Sequence, residues 1–307
     1  DICMEIEQLM AMLEERNFKE LKEALENMHP FDIAEMLEEL DDKQMILIFR
    51  LLAKDEAAEA FTEMNSEMRQ TLLNVLTDSE IKEFMDEMYL DDTVDVLEEM
   101  PANVVDRLLM ATDEETRKQI NTLLNYPEDS AGSIMNVEYI AFNKEMTVEE
   151  AILKIRQVGL NRETIYTCYV LEKRKLIGAV SLKELLTSGD NRTIEEIMET
   201  NVLYVNTHDD QEEVVQMFSK YNFLALPVTD AEGRMVGIIT VDDAMDVIEE
   251  ETTEDIEIMG GMTPSEKTYL KSSPFDLFKN RIPWLTILMI SSTFTGLIIT
   301  SFEDALA

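Results

Sequence analysis

One stretch of this sequence belongs to a different solvent from the rest. From Ile282 to Phe302 (IPWLTILMISSTFTGLIITSF) the chain runs 21 residues without a charge. A bilayer core takes about 20 apolar residues as a helix. The run lies at the C-terminal end, so it is not a signal peptide. Lys279 and Arg281 stand before it, and Glu303 and Asp304 follow. Basic residues favour the cytosolic end of a span. Residues 1–278 are therefore expected in the cytosol, and the run reads as a span belonging to a longer membrane protein.

The remainder is very acidic. Asp and Glu number 65 against 26 Lys and Arg, a formal charge of −39. Such a surface repels nucleic acid and anionic lipid. Hydrophobic residues make up 45%, too many for a disordered acidic tail. A folded surface this negative repels itself and is stabilised by bound cations. Cys3 and Cys168 give no disulfide framework and fit a reducing compartment. His29 and His208 have no CxxC or HExxH nearby, so zinc is not expected. The available ligands are carboxylates, which suit hard Mg²⁺ or Ca²⁺. There is no P-loop, G-x-S-x-G or Cys/His dyad, and no carboxylate spacing that picks out an acid/base pair. An enzyme is not expected.

Residues 1–128 contain no glycine and only Pro30, Pro101 and Pro127. Apolar residues recur at helical spacing, as in Ile33, Met36, Leu37 and Leu40. Asp32-Ile-Ala-Glu-Met-Leu-Glu-Glu-Leu40 echoes Asp92-Thr-Val-Asp-Val-Leu-Glu-Glu-Met100. Helical units that each bury one face predict a short superhelical stack. Most methionines fall in these stripes and read as core filler.

Tyr126-Pro-Glu-Asp-Ser-Ala-Gly132 breaks the pattern, and a different repeat follows. Ile134-Met135 returns as Ile197-Met198, and Thr147-Val-Glu-Glu-Ala-Ile152 as Asp210-Gln-Glu-Glu-Val-Val215. Each copy then carries two β-rich stretches: Tyr166–Leu171 and Leu176–Ser181 in the first, Phe223–Val228 and Met235–Thr240 in the second. Asp230-Ala-Glu-Gly233 supplies a hairpin turn. The result is a duplicated β–α–β–β–α module.

This duplication resembles a tandem CBS-domain pair, on Ile134-Met135, Leu176–Leu182, Ile197-Met198, Leu226-Pro-Val228 and Gly233–Asp243. The order of parts is more specific. An acidic helical repeat, a CBS pair, a long acidic helix and Arg281-Ile-Pro-Trp-Leu285 opening a span look like the MgtE family of magnesium channels. Tyr126–Gly132, Glu163-Thr-Ile-Tyr166, Asp210-Gln-Glu-Glu213 and Thr253-Glu-Asp-Ile256 fit that family. The resemblance implies a multidomain chain: an all-α superhelical domain over 1–128, α+β CBS domains over 129–195 and 196–250, a connecting or plug helix over 251–277, and a first transmembrane helix over 278–307. It further implies a multi-pass protein of the cell membrane in contact with lipid, paired as a homodimer through the CBS domains, with most of the pore outside these residues.

The densest carboxylates follow the second module. Asp243, Asp246 and Glu250 share one helical face, and Glu251, Glu254 and Asp255 share another. With almost no lysine in reach, these charges repel unless cations intervene. By resemblance this helix blocks the pore when Mg²⁺ is plentiful, with ligands at Asp243, Asp246, Glu251, Glu254 and Asp255. Partners are then expected at Asp210, at Asp91 and Asp95, at the Gly132 carbonyl, and less strongly at Asp55 and Glu250. Asn222 stands where the family often has Asp, which removes a carboxylate there.

CBS clefts can bind adenine nucleotides through a Thr/Ser-x-x-Asp step. Thr240-Val-Asp-Asp243 has that form, and Ser181-Leu-Lys-Glu184 has Glu in the last place. Analogy places ATP near Tyr166, Lys183, Glu184 and Thr240. A membrane-anchored nucleotide sensor is the alternative to a magnesium-gated channel.

Overall fold

A computed structural model describes residues 17–98, 100–127, 129–264 and 274–302, with positions 9, 11–13 and 15. The chain forms two compact units, residues 1–210 with 223–240, and residues 211–222 with 241–307.

The first unit begins with short helices: α1 (Phe18–Leu25), α2 (Pro30–Glu38), α3 (Asp42–Phe49), α4 (Lys54–Thr62), α5 (Ser66–Val75), α6 (Asp78–Met85), α7 (Leu90–Glu98), α8 (Ala102–Ala111) and α9 (Glu114–Leu123). Their starts are written in the sequence. Asp41 accepts from the Gln44 N–H while Gln44 accepts from the Asp41 N–H. Thr77 and Glu80 do the same for α6. Helices pack on the next but one, α2 on α4, α4 on α6, α6 on α8, α7 on α9. That is how a repeat stacks when each unit has one apolar face. Phe49, Phe61 and Phe84 meet at its centre with ring centroids 4.9–6.2 Å apart.

Helix ends leave carbonyls without donors, and here arginines supply them. Arg69 donates to the Phe61 and Thr62 carbonyls. Arg107 donates to Leu73 and Leu76, each at 2.6 Å, and Arg117 to Leu109 at 2.7 Å and Thr112 at 2.9 Å.

The duplicated module folds as its pattern predicts. In the first copy β1 (Ala141–Phe142) pairs parallel with β2 (Thr167–Glu172), which pairs antiparallel with β3 (Lys175–Ser181). In the second, β4 (Val205–Asn206) pairs parallel with β5 (Ala225–Thr229), and β5 antiparallel with β6 (Met235–Thr240). Between β1 and β2 runs α10 (Val148–Val158), capped by Thr147 and Glu150. After β3 come α11 (Leu182–Thr187) and α12 (Ile194–Ile197). Ile140, Phe142, Val148, Ala151, Cys168 and Val170 lie at the heart of the first core. Tyr169 of β2 packs on Met235 and Ile238 of β6, joining the two sheets.

The first hairpin turns through Lys173 and Arg174, both left-handed at φ 51° and 68°. The second turns through Gly233 at φ 73°. The tips are adjacent: the Met235 N–H donates to the Arg174 carbonyl at 2.9 Å.

In the second unit α13 (Gln211–Tyr221) packs on α14 (Val241–Met259). Asn222 closes α13 at φ 55°, a left-handed position that Asn tolerates. The helix expected over 251–277 is continuous with the end of the second module, but it stops at Met259. Gly261, at φ 66°, turns the chain, with the Met262 N–H on the Glu257 carbonyl. The rest of that expected helix, residues 265–273, lies outside the described residues. Then α15 (Pro274–Ser301) begins. Its residues Leu277–Ser301 have mean hydropathy 1.8 and none of that stretch is buried, so it is long and apolar enough to cross a membrane. Trp284 crosses Gly261 so closely that a Cβ there would lie 2.5 Å from the indole. Thr263 donates through its N–H and its hydroxyl to the Asn280 carbonyl, at 3.1 and 3.3 Å.

Candidate metal centres

Four places hold the expected ligands. The first is the seam between the helical stack and the module pair, within the first unit. Asp91 is half-buried in the first turn of α7, and Asp95 is exposed one turn later. Asn136, fully buried, donates through its amide to Asp91 Oδ2 at 2.9 Å and to Glu163 Oε2 at 3.1 Å. Tyr89 reports the field there. Burial raises its phenol above the ordinary value, and Glu163, Glu138, Glu59 and Asp91 raise it further. Burial also lifts the Glu138 carboxyl, opposed by Arg162. A cavity of about 540 Å³ is present here, lined by Lys82, Asp86, Thr93, Asp113, Glu138 and Arg162 among others. Sequence reading named Asp91 and Asp95 but did not single out Asn136 or Glu138, whose roles depend on partners far away in the chain.

The second place joins Gly132 to Asp210. The Gly132 N–H donates to the Thr207 carbonyl at 3.0 Å and the Ala131 N–H to the Asp209 carbonyl at 2.8 Å. Ser130 and Asp210 form an antiparallel bridge. The expected carbonyl and the expected carboxylate thus lie on two paired segments. Asp55 is exposed in the first turn of α4.

The third is α14 itself. Because the helix is unbroken, its carboxylates fall in two rows. Asp243 and Glu251 are half-buried, and Asp246, Glu250, Glu254 and Asp255 are exposed. Gln211 of α13 donates to Glu251 Oε1 at 2.8 Å. A groove of 440 Å³ between the two helices is lined by Glu212, Gln216, Ser219, Lys220, Glu251 and Asp255, among others.

Among the described residues no three His, Cys, Asp or Glu side chains converge to hold one ion. Carboxylates are offered singly or in pairs. Mg²⁺ keeps most of its waters and accepts one or two carboxylates, whereas a Ca²⁺ cage needs six to eight oxygens. The donor set fits Mg²⁺ held in part through water.

The fourth place is the nucleotide analogy. The Leu182 N–H donates to the Tyr166 carbonyl at 2.9 Å, which brings Tyr166, Lys183 and Glu184 to one end of β3. Lys183 and Glu184 are exposed. Glu184 accepts from the Ser181 N–H and hydroxyl, both at 3.0 Å. It is therefore engaged in capping α11. Thr240 is buried at the end of β6.

The MgtE intracellular N domain model matches residues 28–129, and the CBS domain model matches residues 131–190 and 194–250. The magnesium transporter MgtE of Thermus thermophilus is 38% identical over 303 residues, covering 97% of this chain and 67% of that protein. The magnesium transporter MgtE of Bacillus subtilis is 29% identical over 303 residues, covering 97% and 66%. The chain thus spans about two thirds of the length of these relatives. A crystal structure of the cytosolic domain of the Mg²⁺ channel MgtE in complex with ATP superposes with a TM-score of 0.76 at 38% identity, covering 79% of this chain and 99% of that one. The soluble part of a magnesium transporter does so at 0.76 and 30%, covering 82% and 99%.

Proposed function

This chain belongs to the MgtE family of magnesium transporters, and we propose that it is the cytosolic Mg²⁺-sensing and gating part of a magnesium channel with the start of its membrane domain. The observation that carries this reading is the concentration of like charge where the helical stack meets the module pair. Burial raises the Tyr89 phenol there and four separate carboxylates raise it further, in a chain of charge −39. At low Mg²⁺ the acidic faces repel and the closed assembly is sparsely populated. At high Mg²⁺, ions bound at Asp91, Asp95, Asp210, the Gly132 carbonyl and the α14 rows favour the closed assembly, and α14 holds the pore shut. Asp55 and Glu250 are supporting ligands.

Ions shift such an equilibrium only through tighter binding to one state. A clean switch takes about 5.5 kcal/mol of differential binding, within reach of several weak sites acting together. In this reading the protein is a multi-pass protein of the cell membrane, its cytosolic part a homodimer through the CBS domains, and α15 contacts lipid.

Small-angle scattering during Mg²⁺ titration at constant ionic strength, with K⁺ as control, tests it. Compaction with Mg²⁺ alone, lost in Glu254→Ala/Asp255→Ala, is expected. An unchanged profile would sink the sensing role.

A second ligand, ATP, has its own support. A relative of 38% identity was crystallised with it, and Tyr166, Lys183 and Glu184 gather at one sheet end. Calorimetry with ATP should show binding that Tyr166→Ala weakens. Binding of ATP without any Mg²⁺-dependent compaction would favour a nucleotide sensor instead.

A further inference from the structure

Asn136 reaches the helical stack and the first module with its side-chain hydrogen bonds while its backbone is fastened to the second. It is fully buried. Its N–H donates to the Ile238 carbonyl, and its carbonyl accepts from the Ile238 N–H, both at 2.8 Å. Gly237 permits this approach, since a Cβ there would lie 2.8 Å from the Asn136 carbonyl. The backbone is therefore fixed to β6 before the side chain does anything.

Both ends of the side-chain amide are then engaged. Asn136 Oδ1 accepts from the Glu138 N–H at 2.6 Å. That donor fixes which end of the amide is oxygen, because the reverse orientation would set donor against donor. The NH₂ end consequently faces the two carboxylates, at 2.9 Å from Asp91 and 3.1 Å from Glu163. Asp91 comes from the helical stack, 45 residues earlier, and Glu163 from the first module, 27 residues later. Two carboxylates brought together in a half-buried setting repel. A neutral donor between them, with one N–H for each, offsets that repulsion without a charge of its own.

We propose that Asn136 is a positioning residue for closure: it holds Asp91 in place and lowers the amount of Mg²⁺ needed to dock the helical stack on the module pair. This rests on the sensing reading. It adds that part of the docking energy needs no cation. Aspartate at this position would have nearly the same shape, yet would put three carboxylates where the structure has two and an amide.

The test uses the 307-residue chain in detergent, with Cys3→Ser and spin labels at Glu26→Cys and Glu149→Cys. Both labelled positions are exposed. Pulsed-resonance distances are followed against Mg²⁺. Asn136→Asp should widen the distance distribution in metal-free buffer and raise the Mg²⁺ midpoint at least about fivefold. Glu163→Gln should lower the midpoint. The double variant Asn136→Asp/Glu163→Gln should return toward wild type, because an amide again lies among the carboxylates. Circular dichroism checks folding, and Asn136→Ala, which also removes the donors, replaces Asn136→Asp if the latter does not fold. The proposal is overturned if midpoint and metal-free distances stay within twofold of wild type, or if the double variant is no closer than the single one. Should wild-type distances ignore Mg²⁺, the sensing reading fails, while the metal-free widening still decides the role of Asn136.

Discussion

Gly132 donates to the Thr207 carbonyl at 3.0 Å with no space for a side chain. A Cβ would lie 2.6 Å from the Tyr126 ring and 2.8 Å from the Thr207 oxygen. The ring can yield, but a backbone carbonyl held in place cannot do so cheaply. Gly132→Ala should cost about 1–3 kcal/mol, as overpacking does, and weaken the Mg²⁺ response with it. Urea unfolding and the scattering titration would read the two effects. A variant of unchanged stability would show that the segment gives way more easily than its contacts indicate.

Arg107 ends α5 from a helix farther along the chain, with both bonds at 2.6 Å. Its removal leaves two carbonyls without that charged donor. Arg107→Met keeps the apolar stem and should destabilise the helical stack by about 2–3 kcal/mol. Arg107→Lys should recover only part, because an ammonium lacks the planar fork. Chemical denaturation of the three proteins side by side would test the order.

Glu80 gives a pH prediction with a definite sign. The Thr77 N–H, then the Thr77 hydroxyl and Arg50, hold its carboxyl below the ordinary value of 4.5 despite some desolvation. A depressed folded value means the stabilisation is present above the unfolded value and lost as pH falls through the folded one. The stability difference between wild type and Glu80→Gln should therefore be largest at neutral pH and shrink from about pH 5 downward. A difference independent of pH would assign the effect to the hydrogen bonds of the neutral group.

Cys168 should be chemically silent. It is fully buried and its thiol is pushed up to about 12 by burial. Only the thiolate reacts. In a Cys3→Ser background, alkylation at pH 8 should follow global unfolding. Rapid labelling of the native protein would mean that the first module opens locally.

Much of the architecture was legible because it rests on local pattern. A stretch without glycine, with apolar residues at helical spacing, has few alternatives to stacked helices. The two modules were legible from their offset copies. The first hairpin was legible as two β-rich stretches, but the form of its turn was not, since Lys173 and Arg174 carry no turn signal yet both adopt positive φ. Gly260-Gly261 is a helix stop that could have been read directly, and it places the end of α14 well before residue 277. Pairings such as Asn136 with Asp91 were out of reach, because no local rule links residues 45 apart. The carboxylate rows of α14 were visible as spacing, but what each carboxylate meets depends on elements brought together only by the fold.

The continuity of α14 has a mechanical consequence. Nineteen residues without a break form a rod of about 28 Å at 1.5 Å per residue. Asp243 is near its base and Glu254 and Asp255 near its tip. A tilt of about 5° at the base would carry the tip by about 2.4 Å over that length. The helix is thus a lever, and a small displacement at its base becomes a larger one at its tip.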